Sequence, residues 1–232
     1  MSWRVSKLKE EFFGAPNAWN LERARLVTAA YKENPTENPG VQQALALARV
    51  LDEKTIFIRD GELVVGNYAA RLGDYEMYPE YTFQDVVIRY VHFDFDRELD
   101  ESNFESDAEK KEFSEIREFW RGKCMHEIAD TIIPDEIQEM RDTREICGNP
   151  YGRDEGQGHI VVEYDKVVEK GLRYYIDKAK GRMEECYATD PRGYHFNRSV
   201  VIALEAVIRF AHRYADLADE LAQQETDETR KQ

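Results

Sequence analysis

The chain has no C-x-x-C pair. Its three cysteines, Cys124, Cys147 and Cys186, are odd in number and widely spaced. Neither a zinc site nor an iron–sulfur cluster nor a disulfide framework is suggested, and free thiols fit a reducing compartment. No apolar run approaches the length of a membrane span, and no charged-then-apolar leader opens the chain; Met1 to Lys9 is polar and reads as helical. The expectation is a cytoplasmic protein. Basic charge is in deficit, with 32 Lys and Arg against 47 Asp and Glu and a net charge of −15. Such a chain is repelled by phosphate backbones and anionic membranes, so nucleic-acid and membrane partners are disfavoured and solubility is the plain meaning of the acidity.

Catalytic signatures are also scarce. His126-Glu127 has no second histidine at the spacing of a zinc helix. Asp94, Asp96, Glu98 and Asp100 lack the glycine and the distant glutamate of a calcium loop and read as a solvated face. The loop from Gly148 to Gly158 has four glycines but no lysine and Ser/Thr pair. Its Asp154-Glu155 would repel phosphate, so it reads as the shaped wall of a cavity. No nucleophile–base pair or metal cluster is evident. His92, His195 and His212 are isolated, and no activating base accompanies Cys124.

What is present is enough apolar material for a core. Hydrophobic residues make up 42% of the 232 and charged residues 34%, a composition at odds with disorder. The chain is treated as one domain over 1–232. Helical periodicity runs from about Leu21 to Lys32, through Val41, Ala44, Leu45, Ala48 and Leu51, and from Asp107 to Trp120 behind a Ser106 or Asp107 cap. Phe113, Ile116, Phe119 and Trp120 form the buried side of that third helix. Pro134 starts another helix, with Asp135-Glu136 suited to its positive end. A long helix follows from about Tyr164 and is stopped by Asp190-Pro191-Arg192-Gly193. The last helix carries a seam of Val201, Leu204, Ile208, Ala211, Ala215, Ala218 and Ala222, suited to close helix packing. Tyr81 to Leu99 is ambiguous between strand and helix. Ile56, Ile58, Leu63 and Val65 alternate around Asp60-Gly61, the strongest short hairpin signal. The expected fold is mainly α with a short β-hairpin.

Several segments, in order, carry a resemblance. Leu21-Glu22-Arg23-Ala24 with Thr28 and Tyr31-Lys32 is followed by Ala44-Leu45-Ala46-Leu47 with Val50-Leu51. Next come Asp60-Gly61-Glu62-Leu63-Val64-Val65-Gly66-Asn67, Tyr78-Pro79-Glu80 and Phe119-Trp120-Arg121-Gly122-Lys123. Then follow Gly156-Gln157-Gly158-His159 with Tyr164, Lys166 and Gly171-Leu172, and last Glu205-Ala206-Val207-Ile208 with Arg213-Tyr214-Ala215 and Arg230-Lys231. This order is similar to the N-terminal region of the glycyl radical enzymes, the pyruvate formate-lyase family with its diol and glycerol dehydratase branch. The resemblance covers nearly the whole chain.

It implies the helical N-terminal portion of an α/β barrel fold, and a radical lyase or dehydratase acting on a small polar substrate. A radical decarboxylase or a fumarate-adding enzyme shares much of the pattern. The family stores its radical on a backbone glycine in an R-V-x-G-Y context and uses a cysteine in a G-C-x-E loop. None of the 13 glycines and none of the three cysteines stands in such a context. The resemblance therefore implies a chain inactive alone, with no catalytic residue of its own. Its partners would be a missing C-terminal barrel portion or another subunit, and an activase carrying S-adenosylmethionine and an iron–sulfur cluster. A homo-oligomer is compatible with it. No cofactor or metal is expected on this chain itself. A stand-alone helical module or split subunit is the reading from another class; exposure of the alanine seam would mark a surface that awaits a partner.

His159 is the one candidate for substrate binding. It ends the glycine loop, where backbone can approach a ligand closely, and in the dehydratase branch the matching histidine contacts substrate hydroxyls. A histidine that only satisfies neighbouring backbone groups is the competing reading. Glu62 and Glu80 are read as loop-fixing acceptors, and Trp120 as a packing residue.

Overall fold

The computed structural model describes residues 2–16, 18–81, 104, 106–143, 163–227 and 231. They form α1 (Trp3–Gly14), β1 (Trp19–Asn20), α2 (Glu22–Glu33), α3 (Pro39–Glu53), β2 (Tyr75–Glu76), α4 (Asp107–Trp120), α5 (Met125–Asp130), α6 (Asp135–Asp142), α7 (Tyr164–Cys186) and α8 (Pro191–Gln224). The chain divides into two compact units. One joins residues 1–76 to 164–232, and the other holds 77–163.

In the discontinuous unit α3 is the central helix. Asn38 caps its start by accepting from Gly40 N, and Pro39 takes the first position, where its missing N–H leaves no donor unsatisfied. Val41, Ala44 and Ala48 recur on one side and Ala46 and Val50 on another; all five are buried. The helix is packed on two sides, with α2 and α8 as neighbours. The small side chains bring the backbones close. α2 answers with buried Ala24, Val27, Thr28 and Ala30. The buried Thr28 hydroxyl donates to Ala24 O at 2.6 Å, so the polar group in this core is satisfied within its own helix.

α7 packs on α8 through buried Ile176 and Ala179. It is kinked at Gly171, whose φ of 71° and ψ of 165° leave helical space; a residue with a Cβ is strained there. Upstream of this glycine Val168 is 85% exposed. Asp190 stops one helix and starts the next, its carboxylate accepting from Gly193 N at 3.0 Å. In α8, Ala206 and Tyr214 are the buried residues. Val201, Leu204 and Ile208 of the seam are half-buried, whereas Ala211, Ala215 and Ala218 are exposed.

The expected hairpin does not form. Arg59 to Glu62 does make a turn, closed by Glu62 N donating to Arg59 O at 3.1 Å, and Gly61 has φ of 93°. The flanking residues never pair as strands. The two-stranded sheet is instead parallel and elsewhere: Trp19 lies opposite Tyr75 and Asn20 opposite Glu76. The cause is competition for the backbone groups, which side chains occupy. Meanwhile Leu63 and Val64 are 77% and 89% exposed, so no apolar face drives pairing.

In the second unit α4 runs as its pattern predicts. Ser106 accepts from Glu109 N, and Phe113, Ile116 and Trp120 are buried, with Phe119 half-buried. Gly122 then adopts φ of 71° just past the helix end, while Lys123 N donates to Trp120 O. Lys123 Nζ sits 4.0 Å from the Phe119 ring centroid. Cys124 is buried at the start of α5, a short helix the sequence pattern did not announce. Met77 and Pro79 are fully buried, and Glu80 O accepts from Met125 N at 3.0 Å.

Candidate functional site

Residues 55–74 form a strap between α3 and β2, and side chains from helices and from the strap itself hold it. At its start Glu22 Oε1 accepts from Thr55 N at 3.0 Å and from Thr55 Oγ1 at 2.6 Å. Asn67 then does the work of a neighbouring strand. Its Oδ1 accepts from Phe57 N at 3.1 Å, and its Nδ2 donates to Thr55 O and to Ala69 O, both at 2.8 Å. The Asn67 amide is held in turn by α8. Tyr214 Oη accepts from Asn67 N at 3.0 Å and donates to Asn67 Oδ1. Burial holds the Tyr214 phenol above its usual pKa, against the lowering effect of its bond to Asn67, so the hydroxyl remains a donor.

Lys54 closes the other end. It is buried at the end of α3, and its ammonium donates to Tyr68 O at 2.8 Å, Asn67 O at 3.1 Å and Glu76 Oε1 at 3.2 Å. Three donors meet three acceptors, the condition under which a buried ammonium is tolerated. Arg213 reaches from α8 to Leu51 O and Lys54 O at 2.5 and 2.6 Å. Those carbonyls have no acceptor role inside α3, and a cation suits that helix end. Asp74 is buried between Asn20 Nδ2 at 3.0 Å and Arg71 Nε at 2.8 Å. Glu62 fixes the turn by accepting from Arg59 N and Arg59 Nε, the loop-fixing role read for it above.

An open groove of about 780 Å³ runs between α1 and the strap, lined by Lys7, Glu10 and Glu11 on one side and Phe57, Arg59 and Leu72 on the other. Its cations stand beside carboxylates: Lys7 by Asp60, Arg59 by Glu62 and Arg71 by Asp74. That pairing makes a wall and supplies no base to activate a nucleophile. Among the described residues no group of three or more His, Cys, Asp or Glu side chains is arranged for a metal.

Of the residues singled out in the sequence, His159, the loop from Gly148 to Gly158, the acidic run Asp94 to Asp100 and His92 lie outside the described residues. Cys124 is buried and Cys186 half-buried, and neither forms a disulfide. Glu127 accepts from Gly122 N, a structural contact. His195 stacks edge-on to Tyr194 with centroids 5.5 Å apart, and its Nδ1 is buried without a hydrogen bond. His212 is exposed. The structure instead gathers residues from separate matched segments, Glu22, Glu62, Asn67, Arg213 and Tyr214, around one strap. Reading segment by segment missed Lys54 and Asp74, which carry no local signal beyond a charge inside a loop-flanking stretch.

A family model described as pyruvate formate lyase-like matches residues 1–232. The chain is 28% identical over 234 residues to the (2S)-3-sulfopropanediol dehydratase of Klebsiella oxytoca; the match covers 99% of this chain and 28% of that protein. Among solved structures it is similar to the glycerol-bound B12-independent glycerol dehydratase from Clostridium butyricum, with a TM-score of 0.82 and 29% identity over 100% of this chain and 29% of that one. A glycyl radical enzyme from Archaeoglobus fulgidus matches with a TM-score of 0.74 and 26% identity, over 98% of this chain and 29% of that one. The chain thus spans 28% of the length of the curated relative.

Proposed function

Because the chain belongs to the pyruvate formate lyase-like family, we propose that residues 1–232 are one contiguous N-terminal portion of a glycyl radical enzyme. In this reading the helices around α3 are part of the outer layer of the family's α/β barrel. The parent is a radical lyase, and similarity to the sulfopropanediol and glycerol dehydratases favours loss of a leaving group from a small hydroxylated substrate. An activase with S-adenosylmethionine and an iron–sulfur cluster installs the radical on the remainder of the enzyme. His159 contacts the substrate hydroxyls from the end of its glycine loop. The cytoplasm is the compartment that suits such chemistry. Among the described residues no helix is long and apolar enough to cross a membrane.

One observation carries the reading. The chain matches 28% of its relative's length, and it has neither a G-C-x-E nor an R-V-x-G-Y context among its cysteines and glycines. It supplies scaffold and substrate contact, while the reacting thiol and the radical glycine come from elsewhere. The exposed Ala211, Ala215 and Ala218 offer a surface for that remainder, since small exposed residues at helical spacing allow close packing of a further element. The experiment is electron paramagnetic resonance after anaerobic incubation of the purified chain with a glycyl-radical activase and S-adenosylmethionine. No signal is expected from this polypeptide. A glycine-centred doublet arising on it would overturn the assignment.

A further inference from the structure

α1 is an amphipathic helix turned the wrong way round. The residues that are half-buried along it are Arg4, Lys7, Leu8 and Glu11, whereas Trp3, Phe12 and Phe13 are 68%, 53% and 74% exposed. No residue of the helix is fully buried. The hydrophobic effect, which fixes most surface helices to their protein, therefore does little to hold this one. Two polar contacts, both to one turn, tie it down. Arg4 Nη1 donates to Gly61 O at 3.0 Å, and Lys7 Nζ pairs with Asp60. Both partners sit in the turn at Arg59 to Glu62. The Arg4 side chain lies so flat on that turn that a Cβ on Gly61 would meet Arg4 Cγ at 2.9 Å. Glu10, Glu11 and Gly14, further along the helix, and Ala15 just past its end stand on the far side of the groove from Phe57 and Leu72.

We propose that α1 is a hinged arm, clipped to the Asp60-Gly61 turn by Arg4 and Lys7, and that its docking opens and closes the groove above Phe57 and Leu72. The hinge lies at Gly14, where a Cβ would meet nothing within 4 Å, and Ala15, which leaves helical space with ψ of 139°. The clip is ionic: the Lys7 and Asp60 side chains are 39% and 37% exposed, so added salt screens their attraction. A helix of 12 residues is marginal in water by itself. Release from the turn therefore also frays the helix, and docking and helicity rise and fall together.

Hydrogen–deuterium exchange on the 232-residue chain tests this. Raising sodium chloride from low concentration to about 1 M should accelerate exchange across α1 while α3 and α8 keep their protection. Arg4→Gln and Lys7→Gln should each accelerate α1 exchange at low salt by roughly 1.5- to 5-fold, the range for an exposed polar contact. The double variant should lose the salt response, and Lys7→Arg should keep it. These side chains lie outside the core, and unchanged exchange in α3 and α8 verifies that the variants are folded. If α1 stays protected in the double variant, something other than the turn holds it and the proposal fails. If α1 exchanges freely in the unaltered chain at low salt, the arm is never docked and the proposal fails equally.

Discussion

Lys54 places a full positive charge where little water reaches it. The ammonium is tolerated because Glu76 neutralises it and two carbonyls complete its shell. Removing the cation takes the salt-bridge partner from the buried Glu76 carboxylate and the donor from two carbonyls, so Lys54→Met is expected to destabilise the chain by about 3–5 kcal/mol in urea unfolding. Combining it with Glu76→Leu should recover part of that loss, because the buried carboxylate goes with its cation. Gly61 is the second residue with a defined cost. At φ of 93°, with the Arg4 side chain packed over it, any Cβ is strained, and a β-branched one more so. Gly61→Val should lower the melting temperature by an amount equivalent to more than about 1 kcal/mol, and Gly61→Ala by less. A melting point equal to that of the unaltered chain would remove the positive-φ argument.

At the scale of elements, Arg198 on α8 grips Glu37, in the link before α3, with two parallel bonds of 2.8 and 2.9 Å. Those hydrogen bonds hold the Glu37 carboxyl below its usual pKa. The sign follows directly. The stabilisation is fully present above the ordinary carboxylate range and is lost as pH falls through the depressed value. A carbon-13 titration of the Glu37 carboxyl should show a lowered midpoint, and Arg198→Gln should raise it toward the ordinary range. The helices around these contacts were legible because their signals are local. Ser106 with the run Phe113, Ile116 and Trp120 specifies α4 within its own length, and the recurrence of Val41, Ala44 and Ala48 does the same for α3. The hairpin misled because Ile56, Ile58, Leu63 and Val65 alternate in any extended segment, whatever satisfies its backbone. Only the turn itself, with glycine at positive φ, was determined locally. The sheet formed among the described residues has two residues per strand, with Trp19 paired to Tyr75, too short and too far apart to leave a periodic trace.

For the whole molecule, the reading of a portion of a radical enzyme makes His159 the residue to test in a complete parent. A lost hydrogen bond to a partner that stays buried costs about 1–3 kcal/mol. At 1.36 kcal/mol per tenfold, His159→Ala in the full-length enzyme should cut kcat/KM by roughly one to two orders of magnitude. Radical yield should be normal, since the radical is installed elsewhere, and unaffected turnover would assign the imidazole to packing. The matched segments of the first unit proved to be a latch whose members are far apart in sequence, which is why their shared purpose was invisible one at a time. That separation has a consequence during synthesis. Tyr214 lies 147 positions beyond the Asn67 it secures, and the unit closes only when its second piece, residues 164–232, has been made. A ribosome adding about 5–20 residues each second leaves the newborn strap waiting roughly 7–30 s for its tyrosine. Through that interval α2 and α3 have emerged without their last neighbour, and their alanine-rich faces are open to whatever chaperone meets them first.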